Sequence, residues 1–284
     1  MSTSTFSPPP KSFSGWSPGD PLGNPWLVRQ PRNSDGRLRL FCLPYAGGAA
    51  SLYRHWEDLL PEWVQLCAVE LPGHGSRMAE EPALRLAPLV RSMVAGLEDL
   101  LDTPYAVFGH SMGGLLAFEF ARTVRELGLR QPEHLFLSGV AAPGLPPTRP
   151  PMGMASKEEI RQELAALKGT PRELLENDEL MELMLPVVRA DFCVLETYWY
   201  RDQAPLDIAV TVFGGSSDPV VPSGSLSGWS RQSSRGARLR IMPGDHFFLH
   251  SAAPALVGAV AETLDAALSP GAALMLPTLM KESS

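Results

Sequence analysis

Short apolar runs alternate along the chain with longer segments in which hydrophobic residues recur every three or four positions. The apolar runs are predicted strands, at Arg37–Leu43, Val64–Val69, Tyr105–Phe108, His134–Val140, Ile208–Phe213 and Leu239–Met242. The periodic segments are predicted helices, at Ser51–Leu60, Ala87–Leu101, Met112–Leu127 and Pro254–Leu268. Because strands that are apolar throughout need cover on both faces, the alternation predicts an α/β protein. Its central sheet is expected to be mostly parallel, with helices on both sides.

The alternation is interrupted at about residues 143–205, where no strand is predicted. Two helical patterns lie there, Ser156–Lys168 and Pro171–Tyr200, and Pro186 is expected to kink or split the second. A helical insertion between two strands of a sheet has two interpretations, a lid over a pocket or an additional packing layer. The pattern alone favours neither.

The two ends of the chain differ in composition from its centre. Residues 1–24 are rich in Ser, Pro and Gly and are predicted to be a disordered leader, and residues 271–284 are predicted to be a flexible tail. Residues 25–270 are expected to form one domain. The leader has no apolar segment typical of a secretory signal, and no apolar run reaches the length of a membrane span, so we expect a soluble protein.

Charge and cysteine content narrow the class of protein further. The 284 residues include 24 Lys and Arg against 31 Asp and Glu, a net charge of −7 without a basic run, which argues against nucleic-acid binding. Cys42, Cys67 and Cys193 lie far apart with no CxxC pair, and the first two fall in strand-like runs. This usage predicts buried, reduced thiols in a cytoplasmic protein.

A five-residue motif directly follows the third predicted strand. Gly109-His110-Ser111-Met112-Gly113 matches G-x-S-x-G and opens the long amphipathic helix. Such a strand-to-helix turn forces its serine into strained backbone angles and requires small residues on either side. Ser111 is therefore the predicted nucleophile, presented at the carboxyl edge of the sheet beside the positive end of the helix.

A serine nucleophile needs a base, and His246 is the predicted one. It follows the last predicted strand, the usual position of the base when a serine stands in this motif. His250 is the close competitor but lies further along the connection to the last helix. The side chain of His110, next to Ser111 in sequence, is expected to point away from the serine oxygen.

The base in turn needs a carboxylate, for which Asp218 is the predicted residue. It follows the strand Ile208–Phe213 through a Gly-Gly-Ser-Ser turn. The resulting order of Ser, Asp and His is that of an α/β-hydrolase. Three rivals are weaker: Asp202 and Asp207 precede the strand, and Asp245 is adjacent to the base itself.

Acyl attack by a serine creates a negative oxygen that two backbone N–H groups must stabilise. One is predicted to belong to Met112, the residue after the nucleophile. The other is predicted in the loop after the first strand, at Ala46, with Tyr45 as the alternative.

Five blocks of sequence together resemble type II thioesterases, the stand-alone editing enzymes of polyketide and non-ribosomal peptide assembly lines. The blocks are Leu43–Gly48, Glu70–Gly75, Gly109–Gly114, Gly214–Asp218 and Gly244–Phe248. The resemblance extends from about Trp26 to Leu268. It implies an α/β-hydrolase fold, a helical lid at about 143–205, and hydrolysis of acyl groups from the phosphopantetheine arm of carrier proteins.

The resemblance also implies a role for each candidate residue. Ser111, His246 and Asp218 take the triad positions, and Ala46 and Met112 the oxyanion positions. The implied partner is an acyl or peptidyl carrier protein bearing acyl-phosphopantetheine, and a monomer without cofactor or metal is expected. A docking patch for that partner is one interpretation of the arginines at 231, 235, 238 and 240.

Two departures and three alternatives accompany this prediction. The leader is longer than the family needs, and Asp245 stands where a small residue often precedes the histidine. The same triad would serve a carboxylesterase or lipase, or an acyltransferase that passes the acyl group to an alcohol or amine. A non-catalytic subunit that only binds carrier proteins is the third alternative.

Overall fold

A single six-stranded parallel sheet forms the centre of the molecule. The structure is a computed structural model that describes residues 23–28, 36–145 and 150–268. The strands are β1 (Leu38–Leu43), β2 (Val64–Ala68), β3 (Tyr105–His110), β4 (His134–Ser138), β5 (Ala209–Gly215) and β6 (Ala237–Met242). They are arranged in the order β2-β1-β3-β4-β5-β6, and each neighbouring pair is parallel. The predicted α/β class is confirmed, and all six carboxyl ends meet at one edge.

Seven α-helices and four short 3₁₀ segments accompany the sheet in the described residues. The helices are α1 (Leu86–Leu97), α2 (Met112–Glu126), α3 (Lys157–Leu167), α4 (Arg172–Leu175), α5 (Asp178–Glu196), α6 (Phe248–Ser251) and α7 (Ala253–Leu268). The 3₁₀ segments are Ala50–Tyr53, Gly75–Arg77, Glu98–Leu100 and Ser223–Arg231. Within the described ranges, no helix combines the length and the hydropathy that crossing a bilayer requires.

Each face of the sheet carries its own hydrophobic core, which explains the uninterrupted apolar strands. Along β1, Phe41 and Leu43 pack with residues of α1 and α2, whereas Leu40 and Cys42 pack with residues of α7 on the opposite face. Successive side chains of a strand point to opposite faces, so both sets of positions must be apolar. Cys42 and Cys67 are buried, and like Cys193 they form no disulfide.

Two predicted helices differ from the observed elements at their ends. Only Ala50–Tyr53 of the first is regular, and hydrogen bonds between residues three apart continue the turn, such as Trp56 N to Tyr53 O at 2.9 Å. Leu127, the last residue of the predicted helix Met112–Leu127, is 61% exposed. It lies one residue beyond the helix end, where Gly128 adopts a positive φ and redirects the chain.

The insertion between β4 and β5 is helical, and residues 143–145 and 150–205 include no strand. Helices α3, α4 and α5 enclose a small core of their own, made of Met152, Ile160, Leu164, Leu175, Met181 and Val188. The predicted split at Pro186 is wrong, because α5 continues through the proline. The break lies instead at Asn177, whose side chain caps α5 by accepting hydrogen bonds from Glu179 N and Leu180 N. The predicted leader and tail lie outside the described residues, apart from positions 23 and 24.

Candidate active site

The turn between β3 and α2 holds Ser111 in an unusual backbone conformation. Its φ of 53° and ψ of −116° lie outside the regions that L-residues favour, at a cost of about 1–3 kcal/mol. A Cβ added at Gly109 would overlap the carbonyl oxygen of Gly113, and one added at Gly113 would overlap that of Leu43. The two glycines are thus required by the close approach of three backbone segments, and Ser111, which lies at the sheet edge, is half-buried.

Three residues that are far apart in sequence form a hydrogen-bonded chain at this edge. His246 Nε2 lies 3.1 Å from Ser111 Oγ, and His246 Nδ1 lies 2.8 Å from Asp218 Oδ2. Ser111 follows β3, Asp218 follows β5 and His246 follows β6, so the parallel sheet itself brings their loops together. The side chains of His246 and Asp218 are 3% and 0% exposed, which shields the hydrogen bond between them from water.

Asp218 is held as a carboxylate despite its burial. Burial raises the pKa of a carboxyl group, but the hydrogen bond and charge of His246 oppose this, as do N–H groups of Val220 and Val221 that Oδ1 accepts at 2.8 and 3.0 Å. The net effect is a lowered pKa for Asp218. A carboxylate can only accept, so Nδ1 of His246 donates to it, and the lone pair of Nε2 faces the serine hydroxyl.

The two rival histidines have other partners. His250 Nε2 lies 3.1 Å from the hydroxyl of Tyr45. His110 is fully buried, with Nδ1 2.9 Å from Ser138 Oγ, and burial together with the charge of His246 places its pKa well below the usual value. His110 is therefore a neutral ring, and its centre lies 5.2 Å from that of the His246 ring.

The rival carboxylates likewise bond elsewhere. Asp202 accepts from the hydroxyl of Tyr200 at 3.2 Å, and Asp207 forms an ion pair with Arg235 at 2.9 Å. Asp245 accepts from the backbone N–H of Phe247 at 3.0 Å. Of the four acids considered from the sequence, Asp218 is the one that the structure joins to His246.

The two predicted oxyanion donors lie on segments that touch each other. Met112 is the first residue of α2, so its N–H has no acceptor within the helix. Ala46 lies in the loop after β1, and a Cβ at Gly113 would stand only 2.7 Å from the carbonyl oxygen of Pro44 at the start of that loop. The loop closes with a hydrogen bond from Gly48 N to Tyr45 O at 2.9 Å.

A cavity of about 760 Å³ opens beside His246, between the insertion and the sheet edge. The insertion lines it with Ala166, Leu167, Lys168 and Gly169, and the loops after β5 and β6 line it with Ser217, Pro219, Gly244, Asp245, Phe247, His250 and Ser251. Phe247 packs so closely on Gly169 that a Cβ there would overlap its ring. The insertion therefore forms one wall of this cavity, and the opposite wall includes the sequence neighbours of Asp218 and His246.

The fold agrees with comparisons to known proteins. Residues 38–268 match the thioesterase domain family, and the chain belongs to that family. It is thus a thioester hydrolase of the serine hydrolase type, and the resemblance to type II thioesterases is confirmed.

Three relatives illustrate the similarity. The gramicidin S biosynthesis protein GrsT of Aneurinibacillus migulanus is 38% identical over 247 residues, which cover 87% of this chain and 96% of GrsT. The structure of RedJ, a thioesterase from the prodiginine biosynthetic pathway in Streptomyces coelicolor, gives a TM-score of 0.77 at 34% identity, covering 83% and 94% of the two chains. BorB, a type II thioesterase from the borrelidin biosynthetic cluster, gives 0.77 at 33% identity, covering 84% and 98%.

One feature near the site was missed at the level of sequence. His74 and Asp191 form a buried ion pair at 2.9 Å, and Asp191 also accepts a hydrogen bond from Gly47 in the loop after β1. His74 lies in one of the five motif blocks, Glu70–Gly75, but the sequence predicted no role for it. The available signal was Asp191 itself, an acidic residue between the apolar positions Val188 and Val194 of α5.

Two glycine substitutions should change the free energy of unfolding in opposite directions, because Gly109 lies where β3 and α2 approach closely and Gly258 borders open space. Gly109→Ala should lower the free energy of unfolding by at least about 1–3 kcal/mol, because the added methyl group meets rigid backbone. Gly258→Ala in α7 adds a methyl group in open space and should raise it by about 0.5–1 kcal/mol. Urea denaturation of both variants measures the difference. Equal stability of the two variants would contradict the packing described for Gly109.

The lowered pKa of Asp218 predicts a pH-dependent contribution to stability. Because folding favours the ionised form, this contribution is complete above the ordinary Asp pKa of about 3.9 and is lost as the pH falls through the lower folded value. The stability difference between the wild type and Asp218→Asn should therefore shrink below about pH 4. Urea denaturation at a series of pH values tests this, and a difference that grows on acidification would exclude a lowered pKa.

Proposed function

We propose that this protein hydrolyses acyl groups from the phosphopantetheine arm of acyl or peptidyl carrier proteins, and so edits or unblocks a polyketide or non-ribosomal peptide assembly line. The observation that carries the proposal is the hydrogen-bonded chain from Ser111 through His246 to Asp218 in a member of the thioesterase family. The descriptions of GrsT, RedJ and BorB, which refer to gramicidin S, prodiginine and borrelidin biosynthesis, support the pathway class.

In the first half of the reaction, Ser111 becomes acylated. His246 Nε2 takes the hydroxyl proton as Ser111 Oγ attacks the thioester carbonyl carbon, and Asp218 stabilises the resulting imidazolium. The N–H groups of Met112 and Ala46 hold the negative oxygen of the tetrahedral intermediate. The carbon–sulfur bond then breaks, and the pantetheine thiol leaves with the proton from His246.

In the second half, water releases the acid. His246 removes a proton from water, the hydroxide attacks the acyl-serine ester, and the same two N–H groups hold the second oxyanion. Collapse of this intermediate returns the proton to Ser111 Oγ and liberates the carboxylic acid. No cofactor enters either half.

We assign the insertion at about 143–205 the role of bounding the acyl chamber. Its support is the cavity of about 760 Å³, which has the end of α3 as one wall and the loop of His246 as another. A volume of that size is in the range of small-molecule sites. The separate hydrophobic core of α3, α4 and α5 supports treating the insertion as a unit distinct from the sheet.

Two of the four arginines considered for carrier-protein docking, at 231, 235, 238 and 240, form ion pairs within the chain. Arg235 is paired with Asp207 at 2.9 Å, and Arg240 with Glu262 at 3.2 Å. Two of the four cations are therefore neutralised within the chain, and we do not assign these arginines a docking role. We also propose that the enzyme acts in the cytoplasm, which the unpaired, buried Cys42 and Cys67 support.

Replacement of Ser111 tests the proposed nucleophile and the substrate class together. Ser111→Ala should abolish hydrolysis of an acyl-carrier thioester, whereas Ser230→Ala, at an exposed serine of the Ser223–Arg231 segment, should retain it. Release of the acid is followed by chromatography. Full turnover by Ser111→Ala would refute the assignment, and faster wild-type turnover of a matched oxygen ester would favour the carboxylesterase alternative.

Replacement of the proposed triad acid should be far more damaging than the same change at a rival position. Asp218→Asn should lower kcat by up to about 10⁴, because the amide no longer holds His246 in the tautomer that accepts the serine proton. Asp207→Asn removes a carboxylate that is exposed and paired only at the surface, and should leave kcat within about twofold of the wild type. Steady-state kinetics decide, and similar rates for the two variants would exclude Asp218 from the triad.

A further inference from the structure

A buried ion pair connects the helical insertion to the loop that carries the proposed oxyanion donor. Asp191 of α5 accepts a hydrogen bond from His74 Nε2 at 2.9 Å and another, on the same oxygen Oδ2, from the N–H of Gly47 at 2.6 Å. The side chains of His74 and Asp191 are each 3% exposed. Removing two charges from water costs desolvation energy, so a contribution to stability alone does not explain why this ion pair is buried.

The hydrogen bonds of His74 define its charge. Nδ1 lies 3.0 Å from the carbonyl oxygen of Pro72, which can only accept, and Nε2 faces the carboxylate of Asp191, which also accepts. Both ring nitrogens therefore donate, and His74 is an imidazolium. Burial opposes this charge, but the hydrogen bond and charge of Asp191 outweigh it, with smaller contributions from the Pro72 carbonyl and the charge of Glu70, and the pKa of His74 is raised from its usual value of 6.5.

The bond to Gly47 fixes the peptide unit next to the proposed donor. Gly47 follows Ala46 directly and has a φ of 75°. Glycine adopts positive and negative φ about equally readily, so the residue itself does not fix the geometry of the loop. A Cβ at Gly47 would stand 3.2 Å from Val188 of α5, so this helix lies against the loop as well as bonding to it. On its other side the loop is held by the contact between Tyr45 and His250.

We propose that Asp191 is a positioning residue of the oxyanion hole. It holds the Ala46–Gly47 peptide, and through the backbone of Ala46 this orients the preceding N–H, that of Ala46, towards the oxyanion. The charged His74 fixes the carboxylate of Asp191 in place. The proposal rests on the proposed function, since it concerns the oxyanion of that reaction. It gives α5 a part in the chemistry, because the insertion supplies the acceptor on which the loop geometry depends.

Asp191→Asn tests this with little change in shape. In the wild type one charged oxygen accepts from both His74 and Gly47. An amide oxygen in its place accepts both bonds without the negative charge that pairs with the His74 imidazolium, and an amide nitrogen in its place opposes both N–H groups. We expect kcat for an acyl-pantetheine thioester to fall at least tenfold, towards the limit of about 10²–10³ for loss of one donor, with KM within about twofold. Glu179→Gln, which removes an exposed carboxylate from the same helix, is the matched control and should leave both constants unchanged.

A pair of inhibitors distinguishes positioning from a general structural role. The first is a trifluoromethyl ketone analogue, to whose carbonyl carbon Ser111 Oγ adds while the proton passes to His246, giving a bound oxyanion. The second is an acyl-pantetheine amide, which binds without forming one. Asp191→Asn should weaken the ketone by the same factor as it lowers kcat/KM and leave the Kd of the amide unchanged.

Two results would overturn the inference, and they are distinguishable. If the wild type binds the ketone through Ser111 and Asp191→Asn binds it equally well, only the positioning role is wrong. If the wild type shows no Ser111-dependent hydrolysis or ketone adduct, the proposed function fails and the inference with it. Should Asp191→Asn fail to fold, judged by its thermal unfolding, His74→Gln takes its place. That variant keeps a neutral donor for Asp191 and should show a smaller loss of ketone affinity in the same direction, and unchanged affinity would contradict the role.

Discussion

The close approach of the end of β3 to the start of α2 is the constraint on which the site depends. Gly109, Gly113 and the carbonyl of Leu43 meet there with no room for a side chain, and the serine between them takes a φ of 53°. The strain places Ser111 Oγ above the sheet edge, within reach of His246. It is offset by the two buried cores, one on each face of the sheet: both include residues of β3, and one includes the apolar residues of α2.

The fold and the hydrogen-bonded arrangement of Ser111, His246 and Asp218 could be predicted from the sequence because their determinants lie in single strands and the turns that follow them. A strand buried on both faces must be apolar throughout, and a turn this tight requires glycines at fixed positions around the serine. Asp218 and His246 each follow a strand, and parallel strands bring their ends to one edge, so chain order alone placed them near Ser111. The rivals His250 and Asp245 could be ranked lower for the same reason, and the structure joins both to other groups.

The remaining features depend on contacts that no local pattern encodes. Pro186 is tolerated within α5 because the helix is fixed by buried residues such as Met181 and Val188, a tertiary effect that overrides the local preference of proline. The bonds of Asp191 to His74 and Gly47 span 117 and 144 residues of sequence. A single acid on an apolar helix face indicates a buried partner, but its identity follows only from how the insertion packs on the sheet.

The most direct test of the central claim is rapid-quench mass spectrometry of the intact protein mixed with an acyl-pantetheine thioester. The account predicts a transient mass increase equal to the acyl group, located by peptide mapping on Ser111 and decaying as free acid is released. Release of acid at the full steady-state rate with no acyl group on Ser111 at any time, or with the group on another residue, would contradict it.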